Sequence, residues 1–525
     1  MQICFLQNFN MKQFFFTSLL LLATLLSFSQ IDESKLDDVV SRTMKTFDVP
    51  GIAVAIIKDG KVVISKGYGV KNIKTQEKVD GNTLFGIASN SKAFTSAALG
   101  MLVDEGKINW DDKVIKYIPE FKMYNDYVTN EFTIRDLLTH KSGLGLGAGD
   151  LMIWPDGHNF TPKDIIKNIH FLKPVSAFRT KYDYDNLLYV IAGEVIVNVS
   201  GKSWCDFIEE RIMKPLQMNS SAATFNRLKD TTNTIVPHVP TDGKLEVITR
   251  YKNTILDAAG GIYSSTNDLS KWVITQLNKG KYGTNNQNQL FSEKVQKEMW
   301  KSQTILPLGN SSPYTTNFKS YGLGWQLTDI NGHLQVSHTG GLDGIVTQTI
   351  MFPDINLGII VLTNQQSGSA FNAISNTIKD SYLGLNFPDH VETLSANRKL
   401  QEDNADKMTD EVWAKVNQNL KEKYKIDLKK YIGTYNDNWF GEITIFEKKG
   451  KLYFVSKRSL GLIGEILFYK DQNFIVKWNN RSYNADAHIF FDLDAKGNAN
   501  HFKMKAISPL TDFSYDFHDL DFAKQ

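Results

Sequence analysis

The chain has 525 residues, 42% of them hydrophobic and 22% charged, with 59 basic side chains against 57 acidic and only two cysteines, Cys4 and Cys205. So balanced a charge offers no global field for nucleic acid or an anionic membrane, and a small-molecule or peptide substrate fits better. The length suffices for one large and one small domain.

Lys12 is the only charge in the first thirty residues, and Phe14 to Leu26 is an apolar run that ends in Ser27-Phe28-Ser29-Gln30. This predicts a secretory signal peptide over 1–29, cleaved after Ser29, and a secreted or periplasmic mature protein. Met11 directly precedes Lys12 and is an alternative start to Met1. The apolar run is shorter than the ~20 residues a spanning helix needs, which argues against an anchor, and no later stretch reads as a membrane span. Cleavage would remove Cys4 and Lys12, leaving 58 basic residues against 57 acidic and Cys205 as the only thiol. No intramolecular disulfide could then form.

Ile31 to Phe47 has apolar residues at helical spacing and stops at Pro50-Gly51, so a helix comes first. Ile52 to Ile57 and Val62 to Ser65 are β-rich runs joined through Lys58-Asp59-Gly60-Lys61, a hairpin signal. Phe85-Gly86-Ile87-Ala88-Ser89-Asn90-Ser91-Lys92 follows, with the only Ser-x-x-Lys in the chain. An apolar helical pattern runs on to Gly106, so Ser89 is predicted to open a buried helix with Lys92 one turn on. That spacing suits a nucleophile beside its base, and a helix N-terminus favours a developing oxyanion. Ser is also a common N-cap, so the pair takes its meaning from partners elsewhere.

Thr133 to Leu144 contains His140, which could be catalytic but reads better as a structural histidine bonded to a loop carbonyl. Residues 145–180, rich in Gly, Pro and aromatics, are expected as loops and short helices lining an entrance. Tyr184-x-Asn186 lies at a polar turn that feeds an apolar helix. Asp257 to Ser265 reads as a small-residue loop before a capped helix. Strand-like runs then flank Pro353-Asp354-Ile355-Asn356, and His338-Thr339-Gly340-Gly341 suggests close backbone approach at a strand edge walling a cleft. Residues 368–383 return as a helix, and 386–428 reads as a polar helical linker. Five short alternating runs follow, beginning at Tyr431, Glu442, Lys451, Phe474 and Ala487, and predict a small antiparallel barrel or sandwich. The ten histidines show no His-x-x-x-His cluster, so no metal or other cofactor is called.

Ser89-x-x-Lys92, Tyr184-x-Asn186 and His338-Thr339-Gly340, in that order, resemble the motif set of the serine beta-lactamase and penicillin-binding protein superfamily. The class C branch, with Tyr-x-Asn where class A has Ser-Asp-Asn, is the nearer pattern. Leu137 to Leu144, Gly260-Gly261 and Gly322-Leu323-Gly324-Trp325 look like further landmarks, so the resemblance covers about residues 35–385. Residues 430–525 resemble a lipocalin-like domain often appended to such hydrolases.

The resemblance implies an α+β, beta-lactamase-like fold over residues 30–385: an antiparallel sheet flanked by helices plus an all-α subdomain. A small antiparallel β-barrel over 429–525 would follow. It implies that Ser89 attacks a carbonyl to form an acyl-enzyme, with Lys92 and Tyr184 moving the proton. Asn186, His338, Thr339 and Gly340 would bind substrate, and the backbone N–H groups of Ser89 and Gly341 would form the oxyanion hole. His338 stands where most beta-lactamases carry Lys, which points toward D,D-peptidase, D-aminopeptidase or esterase activity, with cell-wall peptide a candidate substrate. The alternatives are a non-catalytic peptide-binding module and a weak beta-lactamase. The C-terminal domain is expected either to wall the entrance to Ser89 or to form an oligomerisation surface.

Overall fold

The structure, a computed structural model, describes residues 31–309, 312–422 and 426–525. The predicted signal peptide and Cys4 lie outside the described residues. Asp32 caps α1 (Glu33–Phe47), its carboxylate accepting the Lys35 N–H at 2.7 Å. Two paired strands follow, β1 (Gly51–Lys58) and β2 (Lys61–Gly69). Asp59 and Gly60 take φ of 51° and 75° at the turn, the left-handed pair that an Asp-Gly hairpin requires.

β1 is the second strand of an eight-stranded antiparallel sheet whose strands beyond β2 come late in the chain: β3 (Thr304–Ile305), β4 (Lys319–Tyr321), β5 (Gln326–Ile330), β6 (His333–Leu342), β7 (Ile345–Phe352) and β8 (Leu357–Thr363). The order is β2-β1-β8-β7-β6-β5-β4-β3, with Ile52 opposite Thr363 and Lys58 opposite Leu357. Both faces of β1 are covered, which is why its apolar run is unbroken rather than alternating. Ile52, Val54 and Ile56 pack with Leu36 and Val39 of α1. Ala53, Ala55 and Ile57 face the larger core on the other side.

Between β2 and β3 lies the helical subdomain, built around α2 (Ser91–Asp104) and α3 (Leu187–Ser200), both apolar nearly all round because both are buried. α4 (Thr266–Leu277), capped by Ser265, packs on β1 and β8. α5 (Gly368–Leu383) covers the opposite face of the sheet beside α1. The molecule therefore has the beta-lactamase-like architecture, an antiparallel sheet flanked by helices with an inserted helical subdomain.

Two local expectations are corrected. Ser89 does not open α2: it sits on a separate 3-10 turn, Ala88–Asn90, and Asn90 precedes the first residue of the helix. Ala88 takes φ of 49°, a left-handed conformation that breaks the helical path just before the nucleophile. Residues 257–260 form a single helical turn, not a loop.

The segment called a linker is α6 (His390–Lys421). Its surface is mostly solvated, but Val412 and Val416 bury against Leu467 and Ile475 of the next domain, and the Asn419 amide donates to the carbonyls of Phe468 and Tyr469 at 3.2 and 2.8 Å. Eight antiparallel strands then close a barrel, from Gly433–Asp437 to Asp521–Lys524, with Tyr435 opposite Lys524 at the closure. Tyr435, Phe491, Phe502 and Phe522 fill it with stacked and edge-on rings. Three strands escaped the sequence reading: Ile463–Lys470, Ala499–Ala506 and Asp521–Lys524. Among the described residues no helix is long and apolar enough to cross a membrane.

Candidate active site

Three hydrogen bonds from two separate parts of the chain fix the turn that carries Ser89. The Ile87 N–H donates to the carbonyl of Ile262 at 2.8 Å, and the Asn90 amide donates to Thr347 Oγ1 of β7 at 2.9 Å. Thr347 Oγ1 in turn donates to the Ile87 carbonyl at 2.9 Å. Ser89 itself is only partly covered, so a reactant can reach it.

β5 pairs with β6 only as far as Ser337, so His338 to Leu342 overhang it and lie against the Ser89 turn. The expected close approach is made by Gly340, where a Cβ would stand 2.3 Å from the Ile87 carbonyl oxygen. Gly340 is therefore buried and does not line the cavity, contrary to the substrate-binding place given to it. Gly341 is exposed with open space before it and lines the cavity with Thr339.

Lys92 is 0% exposed, and its ammonium meets three oxygens: Asn186 Oδ1 at 2.7 Å, the Ala259 carbonyl at 3.0 Å and Ser89 Oγ at 3.1 Å. The first two can only accept, so they hold two N–H bonds in place whatever the charge. Ser89 Oγ alone can donate in return, and the lone pair of the neutral amine is thereby aimed at it. Burial pulls the Lys92 pKa down to about 7, against the upward pull of Asp150 and Asp185. The amine is thus partly free base at neutral pH.

Both ends of the Asn186 side chain are engaged: Oδ1 by Lys92 and Nδ2 by Asp150 Oδ2 at 2.8 Å. Its first task is to hold Lys92, and only its remaining lone pair and second N–H are left for a ligand. Ser89 lies near enough to the Tyr184 phenol to pull its pKa down, and Lys92 Nζ lies 4.8 Å from the Tyr184 ring centre. Burial raises the phenol well above its ordinary pKa, so it remains protonated at neutral pH. The imidazole of His140 packs on it at 4.3 Å. The His140 Nδ1 accepts the Asp185 N–H at 3.1 Å, rather than making the bond to a loop carbonyl that the sequence led us to expect.

His338, 2% exposed, shares a hydrogen bond between Nε2 and the Tyr321 hydroxyl at 2.9 Å, and its Nδ1 donates to the Thr339 carbonyl at 2.6 Å. Burial, with Lys92 nearby, pulls its pKa down to about 3. The third motif therefore presents no positive charge near neutral pH.

Ser89, Tyr184, Asn186, His338, Thr339 and Gly341 share one cavity of about 470 Å³. Its far wall comes from the barrel, through residues 482–484, 510 and 512–515. Phe513 meets the Tyr184 ring edge-on at 5.9 Å. Ser514 Oγ donates to Asp150 Oδ2 at 2.8 Å, two hydrogen bonds from Lys92 through Asn186. Asp516 accepts the N–H groups of Gly149 and Leu151 at 2.6 and 3.0 Å. Asp150, Ser514 and Asp516 gave no sequence signal, because the hydrogen bonds that join their two segments span more than 360 residues.

A serine and a buried lysine one turn apart, under a tyrosine and beside the free edge of an antiparallel strand, define a site of the serine beta-lactamase and penicillin-binding protein superfamily. The comparisons agree. A Beta-lactamase family model matches residues 36–382, and the chain belongs to that family. A model described as a domain of unknown function, DUF3471, matches 418–524. Among curated relatives, Unguisins hydrolase ungD' of Aspergillus campestris is 27% identical over 346 residues, covering 64% of this chain and 62% of that protein. Protein flp of Staphylococcus aureus strain MRSA252 is 29% identical over 339 residues, covering 64% of this chain and 63% of its own length. The chain thus spans a little under two thirds of these relatives. The solved structure of the octameric penicillin-binding protein homologue from Pyrococcus abyssi is similar with a TM-score of 0.61 at 22% identity, covering 94% of this chain and 100% of that one.

Proposed function

We propose that this protein is a secreted or periplasmic serine hydrolase that cleaves an amide or ester bond, in a D-amino-acid peptide or a small ester, through an acyl-Ser89 intermediate. The carrying observation is the Lys92 amine, 3.1 Å from Ser89 Oγ with its other two N–H groups committed to acceptors. As Ser89 Oγ bonds to the substrate carbonyl carbon, its proton passes to Lys92 and the oxyanion takes the backbone N–H groups of Ser89 and Gly341. The C–N or C–O bond then breaks, and Tyr184 delivers the proton from Lys92 to the leaving group. Water attacks the acyl-Ser89 ester, and the same groups return the proton to Ser89. With rings filling the barrel, that domain acts through its outer loops, as a wall to the entrance. Secretion is supported by the charge and apolar pattern of residues 1–29. A neutral His338 gives a penicillin carboxylate no ion-pair partner, so beta-lactam turnover is expected to be weak.

A panel of p-nitrophenyl esters, D- and L-aminoacyl anilides and nitrocefin tests this reading; turnover lost in Ser89→Ala supports it. If Lys92 is the base, kcat/KM rises with pH and levels above about 7, since protonation below that value removes the lone pair. The same acid limb should persist in His338→Gln, whose imidazole is already neutral there; a limb that vanished would assign the titration to His338. Gly340→Ala places a Cβ 2.3 Å from the Ile87 oxygen and 2.6 Å from Thr347 Oγ1, and displacing the strand should lower kcat/KM by about 10²-fold. Unchanged turnover would show that this contact does not set the site.

A further inference from the structure

The barrel grips residues 149–168 of the other domain through directional contacts. Arg458 forks onto the two Asp164 carboxylate oxygens, each at 3.1 Å, and lies 3.9 Å from the Phe160 ring centre. Asn168 Nδ2 donates to the Trp439 carbonyl at 2.8 Å, and Asp516 holds Gly149 and Leu151. The last barrel loop is thereby set in register with the 3-10 turn Asp150–Met152, and it brings Ser514 Oγ to Asp150.

Asp150 is 0% exposed, and two donors reach its carboxyl among the described residues. Both go to Oδ2, from Asn186 Nδ2 and from Ser514 Oγ at 2.8 Å each, while Oδ1 has no partner there. Burial holds this carboxyl well above the usual carboxylate range, against the pull of those two donors. An amide has one accepting and one donating end, so Asn186 turns its oxygen to Lys92 only while Oδ2 accepts. Without the Ser514 proton, burial favours protonation of Oδ2 itself. That oxygen would then donate, Asn186 would turn over, and its NH2 would face the Lys92 amine where an acceptor stood.

Asp185 also favours the charged form of Lys92. The rings of Tyr184 and Tyr189 lie 4.8 and 5.2 Å from Nζ, and the imidazoles of His140 and His338 face it, neutral through burial. Around Asp150 itself stand Asp185, Asp516, Tyr184 and Tyr251.

We infer that Ser514 is a positioning residue for the catalytic base: its hydroxyl keeps Asp150 an acceptor, and Asp150 keeps the Asn186 oxygen on Lys92. The inference rests on the acyl-serine reading and gives the barrel a part in the chemistry as well as in access.

The test follows the pH dependence of kcat/KM for the full chain on the p-nitrophenyl ester it turns over fastest. Losing the Asn186 oxygen disfavours the ammonium, so in Ser514→Ala the midpoint of the acid limb should fall by about 0.5 pH unit or more, with a plateau about tenfold lower. Ser514→Thr keeps the hydroxyl and should restore both. On an Asp150→Asn background, Ser514→Ala should shift the limb no further, since the two act in one chain. A parental limb and plateau in Ser514→Ala, or a shift repeated in full on Asp150→Asn, would overturn the inference. Should Ser514→Ala not fold, Ser514→Cys, a weak donor of similar size, is read in its place. Should no ester turn over, the acyl-serine reading fails on its own, and a carbon-13 lysine NMR titration, with Lys92 assigned by its loss in Lys92→Ala, still reads the midpoint. A fall in Ser514→Ala then supports the coupling, and an unchanged midpoint overturns it.

Discussion

Lys92→Ala should lower kcat/KM by about 10³-fold, the range that loss of a positioned general base commands. Nothing else is placed to do its work. Tyr184 stays protonated, and His338 is fixed by Tyr321 and by the Thr339 carbonyl. The substitution also leaves Asn186 Oδ1 and the Ala259 carbonyl without their donor, so about 1–3 kcal/mol of stability should go with each. Thermal unfolding and kinetics separate the two effects: a folded variant with activity within tenfold of the parent would rule Lys92 out as the base.

Asp516→Ala should be the most costly change outside the catalytic groups. The carboxylate is fully buried and accepts two backbone N–H groups at the turn carrying Asp150. Truncation strands both donors, a loss of about 2–4 kcal/mol. Because Asp150 holds Asn186, and Asn186 holds Lys92, turnover of small and large substrates should fall together. If the barrel were a removable screen, large substrates would gain while small ones were unchanged. Melting temperature and kcat/KM on a short and a long p-nitrophenyl ester distinguish the outcomes.

The inner site was legible because its chemistry fixes residue types at short spacing. Ser89 and Lys92, Tyr184 and Asn186, and His338 to Gly341 each read as a weak local signal, and their order made the set specific. The structure brings all three groups to one cavity. Asn186 illustrates the limit: a motif supplies a residue type, but only the fold shows that both ends of this amide face protein. The 3-10 turn under Ser89 was hidden for a similar reason, since a left-handed Ala88 is imposed by its packing and not by alanine.

The barrel was half legible. The strand Ile463–Lys470 is interrupted by Gly464, and Ala499–Ala506 contains no β-branched residue, so neither shows the pattern that marks a strand. The wall was not legible at all. Asp512, Ser514 and Tyr515 reach the cavity only because a closed barrel docks its last loop there. In α6, Val412 and Val416 are too few to betray a buried stripe in so polar a helix.

Intact mass after exposure to a fluorophosphonate tests the central claim most directly. The account predicts one adduct per chain, mapped by peptide digestion to Ser89, absent in Ser89→Ala and formed far more slowly in Lys92→Ala. An adduct on another residue, or equal labelling of the Ser89→Ala protein, would contradict it.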